Sequence, residues 1–174
     1  MIRREFLKSE ILLALQAAVS EFQRIEGTVL ISAVLFGSGA KKGVKPESDL
    51  DVLFVFETLP LKKEIREDLL WPAIKASGNH FKILQANGLT RSLSPVFKTH
   101  QEALVWSPLY LDMTEHHVLL ADQGQFMAGI LKRVGAWIAT SGSLKIQRGL
   151  KWYWKLEGDP SQLCHLQNEE KGAF

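Results

Sequence analysis

Residues 35–56 read LFGSGAKKGVKPESDLDVLFVF, in which a Gly-Ser pair and three lysines separate two apolar runs and two aspartates begin the second run. The runs TVLISAVLF at 28–36 and LDVLFVF at 50–56 are rich in β-branched and large apolar residues, which predicts two strands covered on both faces. Asp49 and Asp51 are two residues apart, so on a strand they point to the same face, about 7 Å from each other. The stretch therefore predicts a strand–turn–strand unit with paired carboxylates at its rim.

The paired carboxylates and the turn before them suggest a ligand. Two carboxylates held this close repel each other unless a cation lies between them, and Mg²⁺ or Mn²⁺ accepts such oxygen ligands while keeping positions for water and phosphate. The turn at Gly37 and Ser38 could expose backbone N–H groups and a hydroxyl to an anion. Lys41, Lys42 and Lys45 add positive charge, with a solvated turn as the alternative interpretation. The unit predicts a triphosphate site beside a divalent-cation site.

Two other glycine motifs that bind nucleotides do not fit this turn. A P-loop needs a glycine five residues after its first glycine, but Lys42 stands five after Gly37 and Val44 stands five after Gly39. A dinucleotide-binding fingerprint that starts at Gly37 would also need a glycine at position 42. The sequence therefore disfavours both P-loop and Rossmann cofactor binding.

Composition narrows the class of protein without naming a substrate. The 174 residues are 46% hydrophobic, carry a formal net charge of +2 and include one cysteine, Cys164. This suits one compact α/β domain over residues 1–174 without a disulfide framework, and the charge is too small to demand a nucleic-acid partner. Lys8, Ser9 and Glu10 interrupt any signal-peptide core, and no apolar run approaches membrane-spanning length. We therefore expect a cytoplasmic protein.

The rest of the chain predicts helices around a small sheet. Apolar residues at three- and four-residue spacing, from Leu7 to Ile25, predict a first helix from about 4 to 26. Next come a helix at about 61–76, a further turn or two from Asn79, and a strand at 90–99 whose Pro95 favours a sheet edge. Helical turns near 100–115 and the extended piece HHVLLA at 116–121 follow. A helix at about 123–139 then begins a helical and aromatic tail that reaches about 160.

Gly37 and Ser38, ten intervening residues, and then Asp49-x-Asp51 resemble the signature of the DNA polymerase β-type nucleotidyltransferase superfamily, especially its small single-domain prokaryotic members. The resemblance covers 28–56 closely. It implies a mixed β-sheet flanked by helices, with the Gly-Ser turn and the lysines after it at the triphosphate and both aspartates as catalytic metal ligands. It also implies transfer of a nucleoside monophosphate from an NTP, with ATP expected, to a hydroxyl with release of pyrophosphate. The acceptor stays open among small molecules, proteins and RNA.

The sequence departs from the family pattern in two places. The strand expected to supply a third carboxylate, TRSLSPVFKT at 90–99, contains no acid, and the nearest acids downstream are Glu102 and Asp112. Lys41 stands where the family commonly has arginine, and Lys42 stands at a usual glycine position. Three functions therefore stay open: an active metal-dependent nucleotidyltransferase, a catalytically silent nucleotide-binding module, and an antitoxin-like partner of a small helical toxin of the HEPN type.

Two further groups have both structural and functional interpretations. His116 and His117 are adjacent, so on a strand they point to opposite faces and make poor joint metal ligands. The tail KIQRGLKWYWKLE at 145–157 is basic and aromatic and could stack nucleobases. A C-terminal helix packed on the sheet is the favoured interpretation of this tail.

Overall fold

The computed structural model describes residues 2–41, 49–86, 92–149 and 151–163. Lys42 and Lys45, which the sequence placed near the phosphates, lie outside these residues. Within the described ranges the chain forms helices α1 (Ile2–Gln23), α2 (Lys63–Ala86), α3 (His100–Leu104), α4 (Leu109–Glu115) and α5 (Phe126–Ser141), and strands β1 (Leu30–Phe36), β2 (Leu50–Phe56), β3 (Leu93–Thr99), β4 (Val118–Asp122), β5 (Leu144–Arg148) and β6 (Lys151–Lys155).

The first four strands form one mixed sheet in the order β3-β2-β1-β4. β1 pairs antiparallel with β2 and with β4, whereas β2 pairs parallel with β3. β3 is an edge strand, as the proline at position 95 led us to expect, because proline cannot donate a ladder hydrogen bond. The expected mixed sheet flanked by helices is confirmed.

Helices cover both faces of this sheet, which explains why its central strands are apolar throughout. All of β1 is buried, and in β2 only Asp51 is partly exposed. Alternate residues of β2 point to opposite faces. One face packs against α1 and α2, where Phe22 of α1 contacts Phe54 of β2 with ring centroids 4.2 Å apart. The other face, which carries Leu53 and Val55, packs against α4 and α5.

Helix α2 corrects one expectation from the sequence. Instead of a helix that ends near 76 and a separate turn from Asn79, one helix runs from Lys63 to Ala86 with Pro72 inside it. Pro72 is exposed, so the carbonyl that loses its hydrogen bond can be solvated. Buried apolar residues on both sides of the proline hold the helix against α1 and the sheet, and this packing outweighs the local break signal: Leu70, Ala73, Phe81 and Leu84.

The aromatic tail corrects a second expectation, since it forms a hairpin of β5 and β6 and not a helix. Gly149, with φ of +61°, lies at the turn, in a conformation that glycine adopts without strain. The alternation of side chains places Lys145, Trp152 and Trp154 on one face of the hairpin, and Trp154 packs against the cluster under α4 and α5. In the described part of the chain, none of the helices has the length and apolarity needed to cross a membrane.

Candidate functional site

The two aspartates lie at the start of β2, at the rim of the sheet. Asp51 is the second residue of the strand and is partly buried, whereas Asp49 precedes the strand and is exposed. Asp51 has the same parity as Leu53 and Val55, which belong to the cluster under α4 and α5, so its carboxylate is directed to that side of the sheet. Asp49, two residues earlier, shares this parity. The pair therefore lies at one edge, on the face that carries α4, α5 and the hairpin.

The Gly-Ser turn is packed directly against this pair. β1 ends at Phe36, whose register partner across the antiparallel ladder is Asp51. Gly37 follows with φ of +66°, and a Cβ at this position would fall 2.6 Å from Oδ2 of Asp51. Because a real side chain would need that space, only glycine lets the carboxylate lie against the turn. The turn and the carboxylate pair are one local unit.

The second glycine of the turn, Gly39, is needed because apolar side chains fill the space around it. Residues Gly37–Ala40 form a single 3₁₀ turn in which Gly39 is buried. A Cβ on Gly39 would lie 3.0 Å from Cδ2 of Leu50 and 3.2 Å from Cδ1 of Leu35. The lack of a side chain at this position therefore allows the turn to pack closely against β1 and β2. Ser38 is exposed between the two glycines, and Lys41 follows the turn with its side chain exposed. An exposed hydroxyl and an ammonium group are thus available beside the aspartates.

Strand β3 contributes hydroxyl groups next to the aspartates. Ser94 is the register partner of Asp51 in the parallel ladder, and Val96, of the same parity, packs on the α4–α5 side. Ser92, just before the strand, donates a hydrogen bond of 3.0 Å from Oγ to Oδ1 of Asp49. The residues that adjoin the two carboxylates at the start of β3 and just before it are therefore serines, where the family resemblance implied a third acid.

Glu102 lies at the opposite end of the sheet. β3 runs parallel to β2, and its last residue, Thr99, pairs with Phe56, so α3 begins about 20 Å from the aspartates. Arg66 donates to both carboxylate oxygens of Glu102, at 3.3 Å and 3.0 Å, and the N–H of Thr99 donates at 2.8 Å. Burial acts to raise the pKa of Glu102, but these hydrogen bonds and the nearby Lys98 outweigh burial and lower the pKa. Glu102 is part of a capping box and is not the third carboxylate.

Asp112, the other candidate third acid, is engaged by the hairpin. Its Oδ1 accepts a hydrogen bond of 3.0 Å from Nε1 of Trp154 and lies 3.5 Å from Nζ of Lys145, which also pairs with Glu115. These contacts tie α4 to the hairpin. In the ranges that the structure describes, no group of three or more His, Cys, Asp or Glu residues could hold a metal ion, so Asp112 does not complete a cluster with the aspartate pair.

Sequence reasoning missed the approach of the hairpin to Lys41, the residue after the Gly-Ser turn. Nζ of Lys145 lies 3.9 Å from the ring centroid of Trp152, and Nζ of Lys41 lies 6.0 Å from the same centroid. Lys41 comes directly after the turn, and the indole of Trp152 lies near the end of the Lys41 side chain. The two segments are far apart in the chain, and no local pattern links them.

The histidine pair lies near the same edge of the sheet. β4 begins at Val118, which pairs with Leu35, so His116 and His117 lie beside the end of β1. Nδ1 of His117 is 2.7 Å from the carbonyl oxygen of Met113, which makes Nδ1 the protonated nitrogen. Both side chains are exposed, and neither belongs to a metal-binding group among the described residues.

A comparison with protein-family models shows that the segment containing this site is similar to a known family. Residues 15–87 match the family described as Nucleotidyltransferase domain, a range that contains β1, the Gly-Ser turn, both aspartates, β2 and α2. The matched segment is thus similar to nucleotidyltransferase domains. Searches of curated proteins and of solved structures returned no match for the chain. The resemblance found in the sequence is confirmed, and the hairpin lies beyond the matched range of the nucleotidyltransferase domain.

The oxygen donors of this site suit a hard divalent cation. Asp49 and Asp51 offer carboxylate oxygens, and Ser92 and Ser94 offer hydroxyl oxygens around them. Oxygen ligands of this kind fit Mg²⁺ or Mn²⁺, and nothing in the set favours a softer metal that would need sulfur or imidazole.

Proposed function

We propose that the protein is a metal-dependent nucleotidyltransferase that moves a nucleoside monophosphate from an NTP, with ATP as the expected donor, to a hydroxyl acceptor. The observation that carries this proposal is the contact between Gly37 and Asp51, since it joins the turn proposed for the phosphates to a carboxylate proposed for the metal. The match to the nucleotidyltransferase domain family supports nucleotidyl transfer as the general chemistry.

Each residue of the site has a role in this proposal. Asp49 and Asp51 would hold the cation, and the hydroxyl of Ser92 orients the carboxylate of Asp49. Ser38 and the turn backbone hold the triphosphate, and Lys41 adds positive charge. A bound Mg²⁺ or Mn²⁺ would supply charge neutralisation on the triphosphate and a lower pKa for the acceptor hydroxyl.

The reaction forms one bond and breaks another. The acceptor oxygen bonds to the α-phosphorus, and the bond from that phosphorus to the bridging oxygen of the β-phosphate breaks, so pyrophosphate leaves with the electron pair. The hydroxyl proton is released to solvent as the new bond forms. The sequence and the site leave the acceptor open among small-molecule, protein and RNA hydroxyls.

The proposal is tested by transfer of label from α-labelled ATP to members of these three acceptor classes. Asp49→Asn and Asp51→Asn keep the size of the side chains but remove the charge that holds the cation, so both should abolish transfer. Asp68→Asn, on the exposed surface of α2, is the matched control and should transfer at the wild-type rate. Full transfer by Asp51→Asn, or no labelled acceptor in any class, would count against the enzyme.

A catalytically silent nucleotide-binding module is the second candidate, and one observation favours it. Ser92, just before β3, and Ser94, on β3, stand where the family resemblance implies a third carboxylate. Calorimetry that detects Mg²⁺-dependent ATP binding, together with an assay that detects no pyrophosphate in the presence of all acceptor classes, would support this module. Release of pyrophosphate that depends on Asp51 would exclude it.

We also propose that residues 1–174 form one domain. The two buried clusters lie on opposite faces of the same four-stranded sheet, and helices from both halves of the chain, α1 and α5, cover it. Limited proteolysis that leaves this unit intact at low protease concentration would support the proposal, and two separately stable fragments would contradict it. The cytoplasmic location stays a prediction from the sequence.

A further inference from the structure

We propose that the indole of Trp152 is the platform on which the nucleobase of the bound NTP stacks, and that the site therefore favours purine nucleotides. This inference rests on the proposed function, because it assumes that the triphosphate lies on the turn Gly37–Ala40. Trp152 is in β6, outside the segment that matches the nucleotidyltransferase family.

The position of Trp152 is the first argument. Lys41, the residue after the turn, brings its Nζ to 6.0 Å from the centroid of the indole ring, so the ring lies near the ammonium group that the proposed function places at the phosphates. The opposite side of the sheet is filled by α1 and α2, while the aspartates are directed toward the face that carries the hairpin. A nucleotide with its phosphates on the turn would thus direct its base toward the hairpin side.

The exposure of the ring is the second argument. Trp152 remains 44% exposed, although Nζ of Lys145 lies 3.9 Å from its centroid. Lys145 and the more distant Lys41 both lie over the ring, but its exposed area still leaves surface on which a planar group can stack. Exposed aromatic side chains of this kind bind bases through their π-faces.

The hairpin is also held in place before any ligand binds. The indole N–H of Trp154 donates to Asp112, and Lys145 pairs with both Asp112 and Glu115 of α4. These contacts neutralise Lys145, so it serves to position the ring and not to bind phosphate. A platform that is already ordered loses little conformational entropy on binding.

Stacking sets the expected specificity. Every base has a π-face, so a stacking contact alone tolerates different bases, but a purine offers two fused rings to the indole and a pyrimidine only one. We therefore expect ATP and GTP to bind with similar affinity and CTP to bind less tightly. Inorganic tripolyphosphate, which has no base, should bind without help from Trp152.

The experiment compares these four ligands in the presence of Mg²⁺ by calorimetry, with wild type, Trp152→Ala, Trp152→Phe and Tyr153→Ala. Tyr153 is 42% exposed, but it is adjacent in the strand and therefore points to the opposite face of the hairpin. We expect Trp152→Ala to weaken ATP and GTP binding about 10-fold or more and to leave tripolyphosphate binding unchanged. Trp152→Phe should recover part of the loss, and Tyr153→Ala should match wild type.

Three outcomes would overturn the platform: equal ATP affinity in wild type and Trp152→Ala, equal losses for ATP and tripolyphosphate, or an equal loss in Tyr153→Ala. The first of these leaves the proposed function standing, provided that ATP binding still depends on Asp51. If wild type binds neither ATP nor tripolyphosphate, the proposed function and the platform fall together. Thermal unfolding of each variant separates loss of binding from loss of fold.

Discussion

Gly37 lies against the carboxylate of Asp51, so closely that a Cβ on Gly37 would fall 2.6 Å from Oδ2. The backbone of Gly37 is also in the left-handed region, with φ of +66°. The turn after β1 can thus pack against the start of β2 only because residue 37 has no side chain. Any side chain at position 37 must move the carboxylate or the turn.

Gly37→Ala is therefore expected to reduce both stability and binding. Its matched control is Gly27→Ala, because Gly27 has φ of +80° but a Cβ there would meet no heavy atom within 4 Å. Both variants carry left-handed strain of about 1–2 kcal/mol, and only Gly37→Ala adds the clash with Asp51. Urea unfolding should show the larger loss for Gly37→Ala, and calorimetry should show lost Mg²⁺-dependent ATP binding in that variant alone. Equal behaviour of the two variants would contradict the coupling.

Ser94→Asp is expected to create the missing third carboxylate, since Ser94 adjoins Asp51 in the parallel ladder and shares its face. The strands of a sheet are about 4.8 Å apart, so the new charge would repel the pair in the absence of metal and bind the cation when it is present. Thermal unfolding with and without Mn²⁺ should therefore show a larger stabilisation by metal than in wild type.

Ser94→Asn is the control for this change, because it has the same size without the charge. Mn²⁺ should raise the unfolding temperature of Ser94→Asn by no more than it raises that of wild type. If Mn²⁺ stabilises Ser94→Asp no more than wild type, then position 94 does not face the cation, and our assignment of Ser94 to the same face of the sheet as Asp51 is wrong. If Ser94→Asp raises the rate of label transfer, the absent acid limits turnover in the natural chain.

The ion pair of Arg66 with Glu102 predicts a pH-dependent contribution to stability. The pKa of Glu102 is lowered in the folded protein, since hydrogen bonds from Arg66 and Thr99 outweigh the effect of burial. A lowered pKa stabilises the fold at pH above the unfolded value of about 4.3, and this stabilisation is lost as the pH falls through the folded pKa. Because 43% of the carboxylate side chain is exposed, we expect only about 1 kcal/mol at pH 7.

Denaturant unfolding of wild type and Glu102→Gln between pH 3 and pH 7 checks this contribution. The difference in the free energy of unfolding between the two proteins should become smaller in the acid range. Glu67→Gln, an exposed partner of Lys63 on α2, is the control and should show a smaller difference at every pH. Glu102→Gln should also keep full label transfer, because Glu102 lies far from the aspartates. Lost transfer in a folded Glu102→Gln protein would contradict our placement of this residue.

Asp122 links two strands to the start of α5. Its Oδ1 accepts hydrogen bonds from Oγ of the buried Ser32 at 2.5 Å and from N–H of Met127 at 2.9 Å, and Oδ2 accepts from N–H of Ala128 at 3.0 Å. Asp122→Ala leaves these donors unpaired, so we expect a loss of about 2–4 kcal/mol in the free energy of unfolding. Asp122→Asn should lose less, since one acceptor oxygen remains. A loss below about 0.5 kcal/mol in urea unfolding of Asp122→Ala would show that water replaces the carboxylate.

The local unit at the centre of this protein could be predicted from the order of its amino acids alone. The apolar runs predict β1 and β2, and the latter agrees with its bounds of 50–56 in the structure. The spacing of Gly37, Ser38 and the two aspartates identified the family, which the family match confirms. These features are readable because a turn and the two strands it joins interact over a short stretch of chain, where alternation alone determines which side chains share a face.

Which distant segments meet at that unit depends on packing in three dimensions. Periodicity tells which face of a strand is buried, but not which strand lies beside it or in what register, because register depends on packing over the whole sheet. The placement of Ser94 beside Asp51, the distance of Glu102 from the site and the approach of Trp152 to Lys41 all depend on such packing. The tail also became a hairpin for this reason, since one face of it is buried against α4 and the core beneath it.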